Sequence, residues 1–252
     1  MARTALRGRL SWLVAEVVEL IDETPRVRSV VFDVPGWTGH LPGQHVDIRL
    51  TAEDGYQAQR SYSIAAPEDG DRVVITVERV DEGEVSPFLV EDLMVGDRIE
   101  LRGPIGGYFV WEPGSGQPVQ LLAGGSGIAP LMAMIRAAAA SPGPESIRLL
   151  SSARTEDDLI YRKELDSLAE RDSRLDITYT LTRGHGPGWK GQVGRVDRVM
   201  LERFAWPPEV EPSCYVCGPT GFVETVASIL VDLGHPPDRV RTERFGPSGG
   251  HP

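Results

Sequence analysis

Residues 119–140 read VQLLAGGSGIAPLMAMIRAAAA, and this stretch decides the fold of the second half of the chain. Val119 to Ala123 is a short apolar run that predicts a buried strand, and Ala129 to Ala140 predicts a helix. The glycines between them let backbone N–H groups approach a diphosphate at the start of the helix, where Pro130 suits the first turn. A tight turn without a ligand explains the same residues equally well, because the pattern differs from G-x-G-x-x-G.

Strands and helices continue to alternate after this unit. Ile147 to Ser151 predicts a strand and Thr155 to Ala169 a helix, in which Thr155 and Asp158 fit a capping box. The remaining predicted elements are the strands Leu175 to Leu181 and Cys214 to Cys217, and a helix over Gly221 to Leu233 that Gly234 closes. Such alternation predicts a parallel sheet covered by helices on both faces, with ligands at the carboxyl ends of its strands.

The first half has short alternating runs separated by turns, which are typical of an antiparallel barrel or sandwich. Its predicted strands are Val27 to Val34, Gln44 to Leu50, Arg72 to Val80 and Asp97 to Leu101. The Pro/Gly-rich segment Glu112 to Pro118 follows as a linker. The sequence therefore predicts an α+β protein of two domains, over 1–113 and 117–246, with a flexible tail over 247–252.

Composition excludes several classes of protein. The chain has 252 residues, 40% hydrophobic and 25% charged, as is ordinary for a globular protein. A formal net charge of −11 argues against nucleic acid or anionic membrane as a partner. No apolar run reaches membrane-spanning length, and Glu16 and Glu19 interrupt the run from Leu10 to Ile21, so that no signal-peptide core is expected. We therefore expect a cytoplasmic protein.

The two cysteines of the chain, Cys214 and Cys217, form a C-x-x-C pair. Two cysteines cannot ligate a four-Cys iron–sulfur cluster, and no histidines near them have the spacing of a zinc site. Residues three apart on a strand face opposite sides, so a disulfide between them has poor geometry. We interpret Cys217 as a thiol of functional interest and Cys214 as a packing residue, and we expect no metal site.

Arg60-Ser61-Tyr62-Ser63 alternates two kinds of side chain on a predicted strand. Arg60 and Tyr62 share one face, and the two serines share the other. A guanidinium suits a phosphate, and a phenol ring provides a flat platform for an aromatic heterocycle. For these four residues alone, a surface strand with an incidental Arg and Tyr is the alternative interpretation.

Glu82-Gly-Glu-Val-Ser-Pro-Phe88 follows a predicted strand and permits two interpretations. Backbone N–H groups and a hydroxyl from Gly83, Val85 and Ser86 can bind a second phosphate. Ser86 at the N-cap of a helix, with Pro87 at its first position, explains the same residues. Both interpretations can hold, because a helix N-terminus is itself an anion site.

The chain resembles the ferredoxin–NADP reductase family in five motifs that occur in the family's order and spacing. They are RSYS (60–63), Gly83-x-Val-Ser86, GGSGIAP (124–130), Cys217-Gly-Pro219 and Glu243-Arg-Phe245. The resemblance extends from Trp12 to Phe245. It implies a flavin-binding antiparallel Greek-key β-barrel followed by a parallel α/β domain that binds a nicotinamide dinucleotide.

The resemblance implies a role for each residue of the flavin motifs. Arg60 would pair with the flavin diphosphate, Tyr62 would stack on the isoalloxazine ring, and Ser63 would hydrogen-bond near flavin N5. The diphosphate of FAD would also be bound by Gly83, Val85 and Ser86. A diphosphate site favours FAD over FMN as the cofactor.

On the nicotinamide side, the resemblance places Cys217 beside the nicotinamide ring and Glu243 where it helps to polarise the hydride path. Phe245 would cover the flavin until nicotinamide displaces it, although seven residues follow it here. The nucleotide diphosphate would be lined by Gly125, Gly127 and Pro130. The alternatives are a small buried side chain for Cys217 and a solvated strand end for Glu243.

We predict NADPH as the preferred donor, with NADH possible. Thr182 and Arg183 end a predicted strand and Lys190 follows in the same loop, where family members hold the 2′-phosphate with a hydroxyl–Arg pair and a later Lys. Ser152 and Arg154 can add a second clamp. Solvated loop cations are the alternative. We interpret the acidic residues Glu156 and Asp157 as first-turn helix charges and not as ligands of an NADH ribose.

The resemblance thus implies an FAD-dependent NAD(P)H oxidoreductase that brings nicotinamide C4 to within about 3–3.5 Å of flavin N5. Electrons would pass to a separate acceptor, such as a ferredoxin-like protein or a partner oxidoreductase, because no plant-type ferredoxin domain is present. A free-flavin reductase is one alternative, against which the predicted diphosphate site argues. A non-catalytic regulatory flavin-binding domain is another, against which the four residues Ser63, Cys217, Glu243 and Phe245 argue.

Overall fold

The structure is a computed structural model, and it describes residues 10–245. The chain forms two six-stranded sheets, one from each half of the sequence. The predicted flexible tail over 247–252 lies outside the described residues. Within residues 10–245, no helix has the length and apolar character needed to cross a membrane.

The first half is an antiparallel barrel of the order β4-β3-β6-β1-β2-β5. Its strands are β1 Leu13–Thr24, β2 Val27–Asp33, β3 His45–Thr51, β4 Gln57–Ser63, β5 Arg72–Glu78 and β6 Arg98–Ile105. Strand β6 lies between β3 and β1, which gives a Greek-key order. A bridge between Ile64 and Ile75 joins the edges next to β4 and β5 and closes the barrel. The predicted antiparallel Greek-key barrel is confirmed.

Strand β1 is absent from the sequence prediction although it has 12 residues. Only Ala15 and Val17 of this strand are fully buried. Two irregularities in its pairing with β2, after Val17 and after Asp22, shift the alternation of inward and outward side chains. A bulge of this kind breaks the period of two on which a strand is recognised.

The second half is a fully parallel sheet of the order β10-β9-β8-β7-β11-β12. Its strands are β7 Val119–Gly124, β8 Ile147–Ala153, β9 Leu175–Leu181, β10 Gln192–Val193, β11 Ser213–Pro219 and β12 Val240–Phe245. Its helices are α1 Ile128–Ala140, α2 Arg162–Arg171, α3 Arg198–Phe204 and α4 Thr220–Asp232. The strand order reverses between β7 and β11, and ligands of such sheets bind at the carboxyl ends of strands at this point.

Separate apolar clusters cover the two faces of the parallel sheet, as predicted. Leu121 and Leu149 pack with α1 and α2 on one face, whereas Leu122 and Val216 pack with α3 and α4 on the other. Helix α1 is buried along almost its whole length. It lies between the sheet and the barrel, because the Arg136 side chain reaches the carbonyl of Ala65 in the first half.

The helix predicted over Thr155–Ala169 is wrong in its first part. The capping box is present, since Thr155 donates from both its backbone N–H and its hydroxyl to Asp158, at 3.0 and 2.8 Å. It closes only a single 3₁₀ turn, Glu156–Asp158. Tyr161 then adopts a left-handed conformation (φ 59°), and α2 begins at Arg162.

Three further elements, β10, α3 and β12, are absent from the sequence prediction. Strand β10 has only two residues and α3 only seven, so neither shows a measurable period. Strand β12 is VRTERF, and its charged side chains are ordinary for a strand at the edge of a sheet.

Candidate active site

The glycine-rich turn lies at the carboxyl end of β7, where the strand order reverses. A Cβ at Gly127 would overlap the carbonyl oxygen of Cys217, so the turn packs directly on β11. A Cβ at Gly124 would lie 2.8 Å from the Phe222 ring. Gly125, by contrast, has a positive φ of 55° and faces open space. Close packing therefore explains Gly124 and Gly127, whereas Gly125 leaves the turn accessible to a ligand.

Of the three residues predicted to line the nucleotide diphosphate, Gly125 is partly exposed and Gly127 is buried. Pro130 is buried in the first turn of α1, where the sequence places it. Ser126, which the prediction omits, is partly exposed beside Gly125. The assignment of the three residues to the nucleotide stays a prediction.

Strand β4 carries the RSYS motif to the same side of the molecule. The Arg136 guanidinium of α1 donates at 2.7 Å to the carbonyl oxygen of Ala65, two residues beyond Ser63. Tyr62 is partly buried and packs against the barrel core, and burial raises the pKa of its hydroxyl. The segment that directly follows the RSYS motif is therefore in contact with the helix that follows the glycine-rich turn.

The exposed Arg60 side chain pairs with Glu84 at 2.8 Å. Glu84 also accepts a hydrogen bond from the Tyr56 hydroxyl at 2.6 Å. These hydrogen bonds, from Tyr56 and then from Arg60, lower the pKa of Glu84. The pair brings Arg60 beside the Gly83–Ser86 loop, although the two motifs are separated by some twenty residues of sequence. Sequence reasoning missed Glu84, because it is an ordinary acidic residue within a loop.

The Gly83–Ser86 loop is tied to the end of the preceding strand. The Gly83 N–H donates to the carbonyl of Val80 at 2.9 Å, and the Ser86 hydroxyl accepts the Val80 N–H at 3.1 Å. Val85 is fully buried in the barrel core. A short π-helix, Phe88–Asp92, does follow this loop, but the interpretation of Ser86 as its N-cap is wrong, because the Ser86 hydroxyl accepts from Val80 and makes no cap bond. Binding of FAD by this loop stays a prediction.

Cys217 and Glu243 are neighbours in parallel register at the carboxyl ends of β11 and β12. Burial raises the pKa of the Cys217 thiol well above its usual range. Burial also raises the pKa of Glu243 to about 7. The Oε2 atom of Glu243 is buried and has no hydrogen-bond partner among residues 10–245. A buried carboxyl group without a partner, at the ligand-binding edge of a parallel sheet, is typical of a functional site.

Two further predictions concern the same pair of strands. Phe245 is partly buried, pairs with Pro219, and packs against the apolar cluster beneath α1. Its role as a flavin cover stays a prediction.

Cys214 lies towards the opposite end of β11, 3.8 Å from Nδ1 of His235. Both cysteines are free and buried.

The loop after β9 presents the cations predicted to hold a 2′-phosphate. Arg154, Arg183 and Lys190 are all exposed. Thr182 donates its hydroxyl to the carbonyl of Ala153 at 3.2 Å, which ties this loop to the end of β8. Their assignment to the phosphate stays a prediction.

An acidic residue reaches the same loop. The Glu156 carboxylate accepts the N–H of Gly186 at 2.9 Å. The prediction treats Glu156 as a first-turn charge, and it does lie in the 3₁₀ turn, but this cross-loop contact has no signal in the sequence.

Metal ligands are not grouped in this cleft or elsewhere in the described part of the chain. Among residues 10–245, no three His, Cys, Asp or Glu side chains are arranged to hold a metal ion.

Comparison with known proteins agrees with this arrangement. A family model described as an oxidoreductase FAD-binding domain matches residues 15–110, and an oxidoreductase NAD-binding domain matches residues 121–228. The chain belongs to the ferredoxin reductase-like family. Its barrel is thus the FAD-binding domain and its parallel sheet the nicotinamide-dinucleotide-binding domain of an oxidoreductase. The predicted family, fold, enzyme class and cofactor types are confirmed.

Two curated relatives cover most of this chain. The ferredoxin–NADP reductase B of Sorangium cellulosum is 33% identical over 239 residues, which are 92% of this chain and 96% of that protein. The glycine betaine monooxygenase reductase subunit of Chromohalobacter salexigens is 34% identical over 234 residues, or 91% of this chain. The chain spans 63% of the length of that subunit.

A solved structure shares the whole architecture of this family member. The cytochrome b5 reductase domain of Ulva prolifera nitrate reductase superposes with a TM-score of 0.82 at 28% identity. The superposition covers 93% of this chain and 97% of that domain. Both sheets and their order along the chain are therefore common to the two proteins.

Proposed function

We propose that this protein takes hydride from NADPH onto bound FAD and delivers the electrons to a separate acceptor protein. The observation that carries the proposal is the contact of α1, the helix that follows the glycine-rich turn, with the segment that follows the RSYS strand. Arg136 fastens α1 to the residue that follows the RSYS strand, at 2.7 Å from the carbonyl of Ala65. On the other side of the glycine-rich turn, the carbonyl of Cys217 packs on Gly127, and Glu243 lies next to Cys217.

The residues present fit both cofactors. Arg60 is a half-exposed guanidinium beside the Gly83–Ser86 loop that would exchange its partner Glu84 for a bound diphosphate, and Gly125 leaves the turn at β7 open. When bound, FAD and the nicotinamide supply the hydride acceptor and donor. The protein's contribution is to bind and orient them, with Tyr62 as a ring platform and the Ser63 hydroxyl as a hydrogen-bonding group.

Cys217 and Glu243 set the charge of the proposed hydride site. Because burial raises the pKa of Cys217 well above its usual range, its thiol stays protonated and uncharged at neutral pH. Glu243, with a pKa of about 7, is partly protonated there. A site that carries little fixed charge and holds a polarisable thiol and a carboxyl oxygen suits the passage of a hydride between two ring faces.

We propose a separate redox protein as the acceptor. Two relatives support this: one is named as the reductase subunit of a monooxygenase and the other as a ferredoxin–NADP reductase. We also propose a cytoplasmic location, which the two free thiols support because disulfides are rare in reducing compartments.

Anaerobic reduction of the purified protein tests the proposal. The released flavin is identified chromatographically, and FAD is the expected result. The flavin as bound is then titrated with NADPH and with NADH, and bleaching of its visible absorbance is expected before any acceptor is added. Release of FMN would contradict the diphosphate assignment. Turnover that requires added free flavin would indicate a free-flavin reductase instead, and no bleaching by either donor would indicate a non-catalytic domain.

NADH is the second candidate donor, because one observation favours it. The Glu156 carboxylate, in the 3₁₀ turn after β8, reaches the loop that would bind the 2′-phosphate and accepts the N–H of Gly186. A carboxylate repels a phosphate and can instead accept hydrogen bonds from a ribose. Steady-state kinetics with both donors decide between the candidates: a kcat/KM for NADH equal to or above that for NADPH contradicts our proposal.

A further inference from the structure

Tyr161 is a buried tyrosine with a backbone conformation that non-glycine residues seldom adopt. It is 3% exposed, and its φ of 59° interrupts the chain between the 3₁₀ turn at Glu156–Asp158 and α2. Such a conformation persists only where the surrounding structure imposes it. The surroundings of Tyr161 are formed by both halves of the molecule.

A line of hydroxyl groups runs from Tyr161 into the barrel. The Tyr161 hydroxyl is hydrogen-bonded to the hydroxyl of Thr76 on β5. Thr76 is in turn 2.8 Å from the hydroxyl of Ser29 on β2, which donates to Glu23 at 2.7 Å. Burial raises the pKa of Tyr161 to about 12, so its hydroxyl stays protonated at neutral pH. The phenol therefore remains able to donate a hydrogen bond across the domain boundary.

Arg136 of α1 forms a second contact between the two domains, next to Tyr161. Its guanidinium lies 5.0 Å from the centre of the Tyr161 ring, and it pairs with both carboxylate oxygens of Glu164 on α2, at 2.9 and 2.6 Å. Its remaining terminal nitrogen donates to the Ala65 carbonyl in the barrel. One side chain thus joins two helices of the nucleotide-binding half to the segment that carries the RSYS motif.

The other interdomain hydrogen bonds lie close to the linker. The Tyr215 hydroxyl donates to the carbonyl of Val110 at 3.0 Å, and Arg241 donates to the same oxygen at 2.8 Å. Val110 is only a few residues from the start of the linker, so the covalent chain already holds that side of the molecule. The contacts of Tyr161 and Arg136, with Thr76 and Ala65, restrain the two domains on a side of the molecule that the linker does not hold.

We propose that Tyr161, Arg136, Thr76 and Ala65 form an interdomain latch that sets the angle between the two domains and thereby aligns the hydride donor with the acceptor. Tyr161 and Arg136 act as positioning residues and touch no cofactor atom. This inference rests on the hydride transfer proposed above. A misplacement of about 1 Å can cost roughly a hundredfold in rate, so alignment is sensitive to the loss of one tie.

The test compares Tyr161→Phe, Thr76→Val and the double variant with the control Tyr179→Phe. Each latch variant removes one of the two bonded hydroxyls and keeps the shape of the side chain. The control removes a second phenol hydroxyl, from a tyrosine that is 9% exposed against 3% for Tyr161, whose bond to Asp166 at 2.9 Å stays within the nucleotide-binding half. FAD content and the rate of reduction by dithionite are measured for all four proteins, and both are expected to match those of the wild type.

Stopped-flow reduction by saturating NADPH or NADH then gives the decisive result. We expect each single latch variant to lower the limiting rate of flavin reduction about tenfold, with less than a twofold change in the half-saturating nucleotide concentration. The charge-transfer absorbance between nicotinamide and flavin is expected to weaken in parallel. The double variant should be no slower than Thr76→Val, because that substitution already removes the bond to Tyr161 together with the bond to Ser29.

Several outcomes overturn the latch. A limiting rate for Tyr161→Phe equal to that of the Tyr179→Phe control contradicts it, and so does a slow Tyr161→Phe beside an unimpaired Thr76→Val. If neither nucleotide reduces wild-type FAD, the proposed function fails, and the latch is then judged by hydrogen–deuterium exchange. Tyr161→Phe must raise exchange in residues 61–66 and 128–140 together, and an unchanged pattern rejects the latch independently of catalysis.

Discussion

The two ends of the candidate site differ in how their charged groups are compensated. At the proposed phosphate end, Arg60 and Glu84 are about half exposed, at 52% and 48%, and they neutralise each other. At the proposed hydride end, Glu243 has a buried carboxylate oxygen with no hydrogen-bond partner among the described residues, next to the buried Cys217. Charges in water are compensated at little cost, whereas a buried unpaired carboxyl group shifts its pKa instead.

This difference predicts that cofactor binding and the rate of hydride transfer depend on different residues. On the proposed assignment, the exposed cations govern how tightly and how selectively phosphates bind. Glu243, with a pKa of about 7, would govern how the rate responds to pH. Substitutions at one end should therefore affect binding, and substitutions at the other should affect rate.

The largest effect is expected for Cys217→Ala and Glu243→Gln. Each should slow the reduction of bound FAD by the nicotinamide about a hundredfold, the scale of about 2.7 kcal/mol in an activation barrier, because both groups line the proposed hydride path. Stopped-flow absorbance measures the rate. Glu224→Gln is the matched control, since Glu224 is an exposed glutamate paired with Arg244 on the same side of the sheet. Wild-type rates in both site variants would make these two side chains structural and remove the contrast between the two ends.

Arg60→Ala should weaken FAD binding and leave the chemistry of the remaining holoprotein intact. Loss of a charge-assisted hydrogen bond of about 1.5–3 kcal/mol corresponds to a roughly tenfold to hundredfold rise in Kd. Fluorescence titration of the apoprotein with FAD gives the value. Arg98→Ala, which removes an exposed arginine paired with Glu16 on the same barrel, serves as the control. Equal affinities for the two variants would place the diphosphate elsewhere.

The raised pKa of Glu243 predicts a pH dependence of stability that the glutamine variant lacks. Because the folded protein holds this proton up to a pH of about 7, against 4.5 as the ordinary value, its stability falls as the pH rises from 4.5 through 7. After allowance for partial exposure, we expect the free energy of unfolding of Glu243→Gln to rise by about 1–2 kcal/mol relative to that of the wild type between pH 4.5 and pH 8. Urea unfolding of both proteins at the two pH values, with equal FAD content, measures the difference. A gap between the two proteins that does not vary with pH would mean that Glu243 titrates normally.

The smallest effect is expected for the choice of donor. Arg183→Ala should remove most of a preference for NADPH, about tenfold in kcat/KM, and should leave NADH turnover nearly unchanged. Glu156→Gln should act in the opposite direction by removing a negative charge from the same loop. Steady-state kinetics with both nucleotides measure both variants. If Arg183→Ala lowers NADH and NADPH turnover equally, Arg183 supports the loop and does not recognise the phosphate.

The parts of this molecule that could be predicted from the sequence are those governed by local patterns. Strand β9 was predicted with its observed bounds, and α4 to within one residue at each end, because their apolar periods and end signals agree. The motifs around Arg60 and Gly125 were visible because they combine unusual residue types in a fixed order. The parts that could not be predicted depend on contacts between distant segments. These are the bulged β1, the ion pair of Arg60 with Glu84, and the left-handed Tyr161.

Tyr161 shows why distant contacts limit what the sequence can predict. The capping box at Thr155 and Asp158 is a correct local signal for a helix start, yet the helix begins only at Arg162. Contacts with Thr76 and Arg136, from elements far away in the sequence, accompany the change in backbone direction. Sites where a sound local rule fails are often strained or functional, which fits the latch proposed above.

The strand order of the parallel sheet has a consequence for protein engineering. The loop that would select the donor follows β9, whereas Cys217 and Glu243 end β11 and β12, and two strands, β8 and β7, lie between. Three interstrand steps of about 4.8 Å separate β9 from the strand of Cys217 by roughly 14 Å, and a fourth step separates it from the strand of Glu243 by roughly 19 Å. The proposed donor-selecting loop and the proposed hydride site therefore lie on separate strands of one sheet. We expect that the loop over 182–191 can be exchanged with that of another family member while Cys217 and Glu243 keep their positions.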